Sequence, residues 1–194
     1  MAGLWVACGA ELFDADAVSR ELTAAGGAAM PALVQLFGEA CRTPEGALDR
    51  AWMRERAFQD PAARRRLEGV LHPMIAQRAR LAQASTPAGL PLVLDIPLLA
   101  AGSAWRQLAD RVLVVDCSAA TQIERVRARS GLAAEEVQRI IDSQIDRPAR
   151  RALADAVIFN DGLTVADLEA QVQALWGHWM AQGIEAQEVA APSV

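Results

Sequence analysis

The stretch GAELFDADAVSREL (Gly9–Leu22) decides how the rest of the chain is read. Its apolar residues Leu12 and Phe13 run directly into two acids one residue apart, Asp14 and Asp16, and then into a helical pattern. A strand that ends in Asp and passes straight into a helix is half of a βαβ unit, and the residues ahead of it read as the back half of an earlier helix. Three further apolar runs follow: LPLVLDIPLL (Leu90–Leu99), RVLVVDC (Arg111–Cys117) and DAVIFN (Asp155–Asn160). Leu, Val, Ile and Phe on consecutive positions are the mark of strands buried on both faces of a parallel sheet. Strands alternating with helices predict a doubly wound α/β fold, in which ligands sit at the carboxyl ends of the strands. Asp14, Asp16, Asp95, Asp116 and Asn160 then line one edge of the sheet. An Asp after a strand also caps the next helix, and for Asp116 both readings stand.

Between the strands the helix signals are local. Pro31 can start a short helix carrying Leu33, Val34, Leu36 and Phe37, and Asp60 with Pro61 supplies an N-cap and first-turn pair. Ser118 can cap a helix bearing Ile123 and Val126, and GLAAEEVQRIIDSQI (Gly131–Ile145) places Val137, Ile140, Ile141 and Ile145 on one face. A last helix from Thr164 to about Met180 carries Val165, Leu168, Val172, Leu175, Trp176 and Trp179 at helical spacing, which makes its tryptophans core residues. Beyond Gly183 the weak periodicity predicts a frayed tail.

At 194 residues the chain suits one domain with a sizeable core. Its formal net charge of −5 gives no electrostatic case for nucleic acid or an anionic membrane as partner. The three cysteines show no CxxC spacing and are odd in number, so neither a disulfide framework nor a zinc site is indicated, and a cytoplasmic setting is expected. No apolar run has the length of a membrane span. All 19 basic residues are Arg, so chemistry that needs a lysine from within these residues is excluded.

In order, DADAVSREL, GALDRAWMRERAFQDPAARRRLEGVLHPMI, LVLDIPLL, DRVLVVDCSAATQIERVRAR, IIDSQIDRPARRALADAVIFNDG and LEAQVQALW resemble the dephospho-CoA kinases, from about Phe13 to Trp179. The resemblance implies an α/β, P-loop-kinase-like (adenylate-kinase-like) three-layer parallel sheet. It implies phosphorylation of the ribose 3′-hydroxyl of dephospho-CoA by ATP, with Mg²⁺. It implies one kinase-like domain over 1–182, with a core of 1–29, 86–117 and 151–182, a helical CoA-binding region over 30–85, a lid over 118–150, and a tail over 183–194. Oligomeric state is left open.

Phosphoryl transfer asks a protein for positioning groups, cations and one proton acceptor. Asp16, the second acid of DAD, matches the family's base for the 3′-hydroxyl, and Asp14 orients or caps. Arg20, one turn beyond Asp16, looks like a ligand for a substrate phosphate. A solvated surface Arg is the plainer reading. His72 in LHP matches a position near the CoA pocket, with a buried structural histidine as the alternative. Asp95 falls on the substrate side and, like a Walker-B acid, could hold Mg²⁺ through water. Gln144 and Arg147 in QIDR match the lid, where a guanidinium can reach the transferring phosphoryl. Asn160 and Gly162 in NDG resemble the adenine-side loop. Arg125, Arg127, Arg129, Arg150 and Arg151 read as a solvated, ion-paired face.

Two departures from the family pattern stand out. Many relatives carry Glu two residues after PLL, where this chain has Ala101. The larger one concerns the start: in the family a strand, the loop GxxxxGK[ST], a helix and a second strand precede DAD, and AGLWVACGAELF matches only the end of that helix and the second strand. A strand of ~5–6 residues and an eight-residue loop put about fifteen residues in front of Met1. The fold is therefore expected to lack its first strand and Walker A loop, and the chain as written is expected to be inactive. Gly26 and Gly27 cannot substitute, having no Lys after them. Two other classes fit parts of the pattern. LFDADAV resembles the DxDx[TV] motif of haloacid-dehalogenase-type phosphatases, with Asp14 as nucleophile, and the helical region alone would suit a non-catalytic CoA-ligand-binding remnant.

Overall fold

The structure is a computed structural model that describes residues 1–97 and 104–190. In chain order the elements are α1 (Ala2–Ala7), β1 (Glu11–Asp14), α2 (Ala15–Leu22), α3 (Met30–Phe37), a 3-10 turn (Glu39–Cys41), α4 (Arg50–Gln59), α5 (Pro61–Ser85), β2 (Leu92–Asp95), α6 (Ala104–Leu108), β3 (Leu113–Asp116), α7 (Ala119–Ser130), α8 (Ala134–Asp142), α9 (Arg147–Ala152), β4 (Ala156–Phe159) and α10 (Val165–Ala190). The chain divides into two compact units: Glu11–Pro97, and Met1–Ala10 together with Leu98–Val194. Ala101 lies outside the described residues.

In the Glu11–Pro97 unit β1 and β2 are parallel, paired from Glu11↔Leu92 to Asp14↔Asp95. Parallel strands need a long crossover, and α2 to α5 supply it. The strand gives way to the helix because Asp14 accepts the Ala17 N–H at 2.8 Å and caps α2. Gly26 (φ +74°) and Gly27 then turn the chain, and the Ala29 N–H reaches back to the Leu22 carbonyl at 3.0 Å. A Cβ on Gly27 would run into that same carbonyl, so this glycine is required by close approach. Asp49 caps α4 through Ala51 and Trp52, and Asp60, followed by Pro61, caps α5 as expected. The core gathers Leu22, Leu33, Met53, Ala63, Ile75 and Ala79.

In the second unit β3 and β4 are parallel from Leu113↔Ala156 to Asp116↔Phe159. Ser118 caps α7, which ends at Gly131 in the left-handed region (φ +70°). Asp146 caps α9 through the Ala149 N–H at 2.7 Å. Three expectations are corrected here. The strands are not buried on both faces: Val115, Val157 and Phe159 are 42%, 37% and 47% exposed, because among the described residues each sheet has two strands and every strand is an edge strand, covered in part. On α8 only Val137 is buried. Ile140 is 41% exposed and Ile145 falls past the helix, which ends at Asp142. Finally, α10 does not stop near Met180 but runs past Gly183 to Ala190, through Ala, Glu and Gln that favour helix; residues 191–194 lie outside the described residues.

The tryptophans are packing residues, as expected, with a partner the spacing did not reveal. Trp5 of α1 sits 5.7 Å from Trp179 and 6.0 Å from Trp176, with Val172 fully buried nearby on α10. Trp5 is 6% exposed, and truncating a buried Trp costs about 3–5 kcal/mol. Trp5→Ala is therefore expected to lower unfolding stability by that amount in urea titrations followed by circular dichroism. Val165→Ala, at a side chain 74% exposed, should stay within about 0.5 kcal/mol; equal losses would show that the cluster does not anchor α10.

Candidate active site

At the carboxyl ends of β1 and β2 the structure brings several predicted residues together. Asp14 and Asp95 are register partners, so their Cα positions share one rung. Asp14 is occupied: it caps α2 and lies 3.7 Å from Arg20 Nη2. Asp16 is in the first turn of α2, exposed, and its carboxylate has no hydrogen-bond or ion-pair partner among the described residues. Asp95 is exposed as well. Arg20, 59% exposed, is only loosely paired, so its charge stays accessible.

The helix carrying Asp16 and Arg20 is fixed by residues that sequence reasoning missed. Thr23, 2% exposed, donates to the Ser19 carbonyl at 2.7 Å and accepts from Arg50 Nη2 at 2.8 Å, tying α2 to the start of α4. Arg78 of α5 reaches Glu21 at 2.9 Å. His72 is exposed on α5, so the buried structural alternative is not what the structure shows. It has no contact with the carboxylates among the described hydrogen bonds and ion pairs.

The second unit assembles another group at the ends of β3 and β4. Asp116 is buried, with its side chain 2% exposed, and it does not cap α7, since Ser118 does. Instead it binds Arg147, the first residue of α9: Nε lies 2.8 and 2.9 Å from the two carboxylate oxygens and Nη2 lies 2.8 Å from Oδ2. Arg151 Nε stands 3.9 Å away. The Arg147 Cζ is 5.2 Å from the centre of the Phe159 ring, within cation–π range. These hydrogen bonds from Arg147 to Asp116 push its already high pKa further up.

Asn160 donates its backbone N–H to the Asp116 carbonyl at 2.7 Å, and its side-chain amide has no partner among the described residues. Asp161, between the predicted Asn160 and Gly162, accepts the Ser118 N–H at 3.0 Å; hydrogen bonds from Thr121 and Ser118 hold its carboxyl below the usual range. Gly162 itself is left-handed (φ +68°), which suits glycine. Gln144, in the short link between α8 and α9, is half-buried. Arg125, Arg127 and Arg129 are exposed, as a solvated face would be. Beside Asp116, the Cys117 thiol is pushed up by burial.

The Glu11–Pro97 unit supplies an accessible carboxylate and a cation near a strand end, and the second unit, taken by itself, supplies a guanidinium held in a fixed attitude. Those are parts for phosphoryl transfer. The family model of dephospho-CoA kinase (CoaE) matches residues 1–166. The chain is similar to the dephospho-CoA kinase of Bordetella parapertussis, 49% identical over 174 residues that cover 89% of this chain and 81% of the relative. It is similar also to that of Dechloromonas aromatica, 49% identical over 177 residues covering 90% and 84%. Among solved structures, TT1252 from Thermus thermophilus superposes with a TM-score of 0.75 at 29% identity, covering 91% of this chain and 88% of that one. The dephospho-CoA kinase from Campylobacter jejuni shares the fold with a TM-score of 0.68 at 21% identity, covering 93% and 90%.

Proposed function

This chain belongs to the dephospho-CoA kinase family, and from that premise we propose that it moves the γ-phosphoryl group of ATP onto the ribose 3′-hydroxyl of dephospho-CoA, giving coenzyme A and ADP. The observation that carries this reading is the exposed carboxylate of Asp16, without a partner among the described residues, just beyond the Asp14↔Asp95 rung. Asp16 is the base that takes the hydroxyl proton. Arg20, Asp95 and His72 bind the acceptor substrate. Arg147 meets the transferring phosphoryl, and Gln144, Asn160 and Gly162 serve the nucleotide.

Mg²⁺ neutralises phosphate charge in such reactions. Among the described residues no group of three or more His, Cys, Asp or Glu could hold a metal ion. Mg²⁺ is content with one or two carboxylates plus waters and substrate phosphates, so exposed Asp95 fits as its protein contact. The organisation proposed is one kinase domain over 1–182, with core segments 1–29, 86–117 and 151–182, the CoA region at 30–85 and the lid at 118–150. No described helix is long and apolar enough to cross a membrane, and the net charge of −5 gives no electrostatic case for nucleic acid; a cytoplasmic location is part of the proposal. Residues 1–194 contain neither GxxxxGK[ST] nor any Lys, so by themselves they are expected to be inactive.

The test is CoA formation from dephospho-CoA and ATP with the full-length gene product and, separately, with residues 1–194 alone. The first is expected to make CoA in a Mg²⁺-dependent reaction, with a 3′-phosphomonoester signal in ³¹P NMR. The second is expected to form no CoA above background, because it offers no backbone cradle and no Lys for the phosphates. A full-length product that binds dephospho-CoA in calorimetry yet forms no CoA would replace this reading with a non-catalytic binding role.

A further inference from the structure

Apart from Thr23, Asp116 is the buried polar side chain among the described residues, and it is the charged one. A carboxylate taken out of water must be paired and hydrogen-bonded or it is costly. Asp116 meets that need with a single neighbouring helix: Arg147 and Arg151 stand one turn apart on α9 and turn toward it together. Buried ion pairs are poor stabilisers compared with apolar packing, which leaves open what this one does.

The geometry of Arg147 supplies an answer. Three contacts to Asp116 take up the Nε and Nη2 edge of the guanidinium. The Phe159 ring lies 5.2 Å from Cζ, and Phe159 is the register partner of Asp116, so the strands that supply the carboxylate also supply the ring. The backbone is fixed as well, since Arg147 opens a helix capped by Asp146 with proline in its first turn. Nη1 has no acceptor among the described residues, and the side chain is 37% exposed. A flat, five-donor group is thus gripped on one edge while donors remain for another anion.

We propose that Asp116 is the positioning residue of Arg147, gripping one edge of the guanidinium so that its remaining donors are presented in a fixed attitude to an anionic oxygen of the transferring phosphoryl group. The inference rests on the role given to Arg147 above and adds what holds it there. It also makes a directional claim. If only net charge mattered, Asp116 would weaken Arg147 by partial neutralisation, and removing its charge would speed the reaction. Positioning requires the opposite, because a loose guanidinium must be ordered anew in each transition state.

The test uses the full-length gene product and compares Asp116→Asn, Arg147→Ala and the double variant. Asp116→Asn is expected to lower kcat about 10²-fold, the cost of misplacing a reacting group, with KM for dephospho-CoA nearly unchanged. In the Arg147→Ala background the same substitution is expected to cost nothing further. In ¹⁵N NMR, one arginine Nε–H resonance with slow solvent exchange is expected in the unsubstituted protein and absent from both single variants.

An unchanged or raised kcat in Asp116→Asn overturns the inference while leaving the Arg147 role intact. An equal loss in both backgrounds overturns it too, by showing that Asp116 acts on structure at large. If Arg147→Ala leaves kcat unaltered, the role of Arg147 itself falls, and a surviving NMR signature then marks a purely structural pair. Should Asp116→Asn fail to fold, Arg147→Lys keeps the charge beside Asp116 but has no second edge to offer. It is expected to show the same ~10²-fold loss, and retained activity would overturn the proposal.

Discussion

Asp16→Asn in the full-length protein is expected to lower kcat for CoA formation by about 10²–10⁴-fold, the range that a positioned proton acceptor contributes, and to leave the KM for dephospho-CoA close to its original value. The amide has the same shape as the carboxylate but does not accept a proton. No described hydrogen bond or ion pair depends on the charge: Asp16 is exposed, has no partner among the described residues, and is not the cap of α2, so its charge acts on the fold only through the helix dipole. Asp14 performs that task. The comparison that isolates chemistry from structure is therefore Asp14→Asn, which keeps a good capping side chain and is expected to change kcat far less. Far-UV circular dichroism should be the same for both variants. Equal and large losses from the two substitutions would move the proton acceptor from Asp16 to the Asp14–Asp16 pair as a unit. A large loss from Asp14→Asn alone would favour the nucleophile role that the DxD pattern gives it in phosphatases.

What the sequence disclosed and what it concealed divide along the range of the interactions. Caps are written within three residues, so Asp60 with Pro61, Ser118 and the strand-ending Asp14 could be read directly, and each forms its expected bond. The strands were legible for the same reason, since a run of Val, Leu and Ile is a local pattern. Contacts that bridge distant segments leave no such trace. Asp116 and Arg147 are 31 residues apart, Ser118 and Asp161 are 43, and Thr23 and Arg50 are 27. The strand-end position made Asp116 a candidate, yet only the fold shows that it is buried and therefore bound to need a cation. The two arginines one turn apart in RPARR were the available signal, and they read equally well as surface charge. His72 had two readings, a position near the CoA pocket and a buried structural histidine before Pro73; α5 turns it outward, which removes the second. In the same way Trp176 and Trp179 were recognised as packing residues by spacing, while Trp5, their partner from the opposite end of the chain, could not be.

Arg147→Ala carries the largest expected effect, a fall in kcat of about 10³–10⁵-fold, the worth of an arginine that meets the charge of a transferring phosphoryl. Two consequences of the substitution have to be kept apart. In the proposed role, removing the guanidinium takes a cation from the phosphoryl, and it also strips a buried carboxylate of its main partner. Breaking a buried pair can cost about 3–5 kcal/mol, but Arg147 is 37% exposed and Arg151 stands 3.9 Å from the same carboxylate, so a smaller cost is expected once solvent and the second arginine are counted. The loss of stability should therefore be modest and the loss of kcat should persist at temperatures well below the unfolding midpoint. Adding Asp116→Asn to Arg147→Ala removes the stranded charge: it should restore the midpoint without restoring kcat. Free guanidinium in the assay offers a third separation, because a small cation filling the vacated space should recover part of kcat in Arg147→Ala and none in Asp16→Asn. Recovery of kcat in step with the midpoint would show that Arg147 acts through folding, and the phosphoryl contact would have to be sought in another cation.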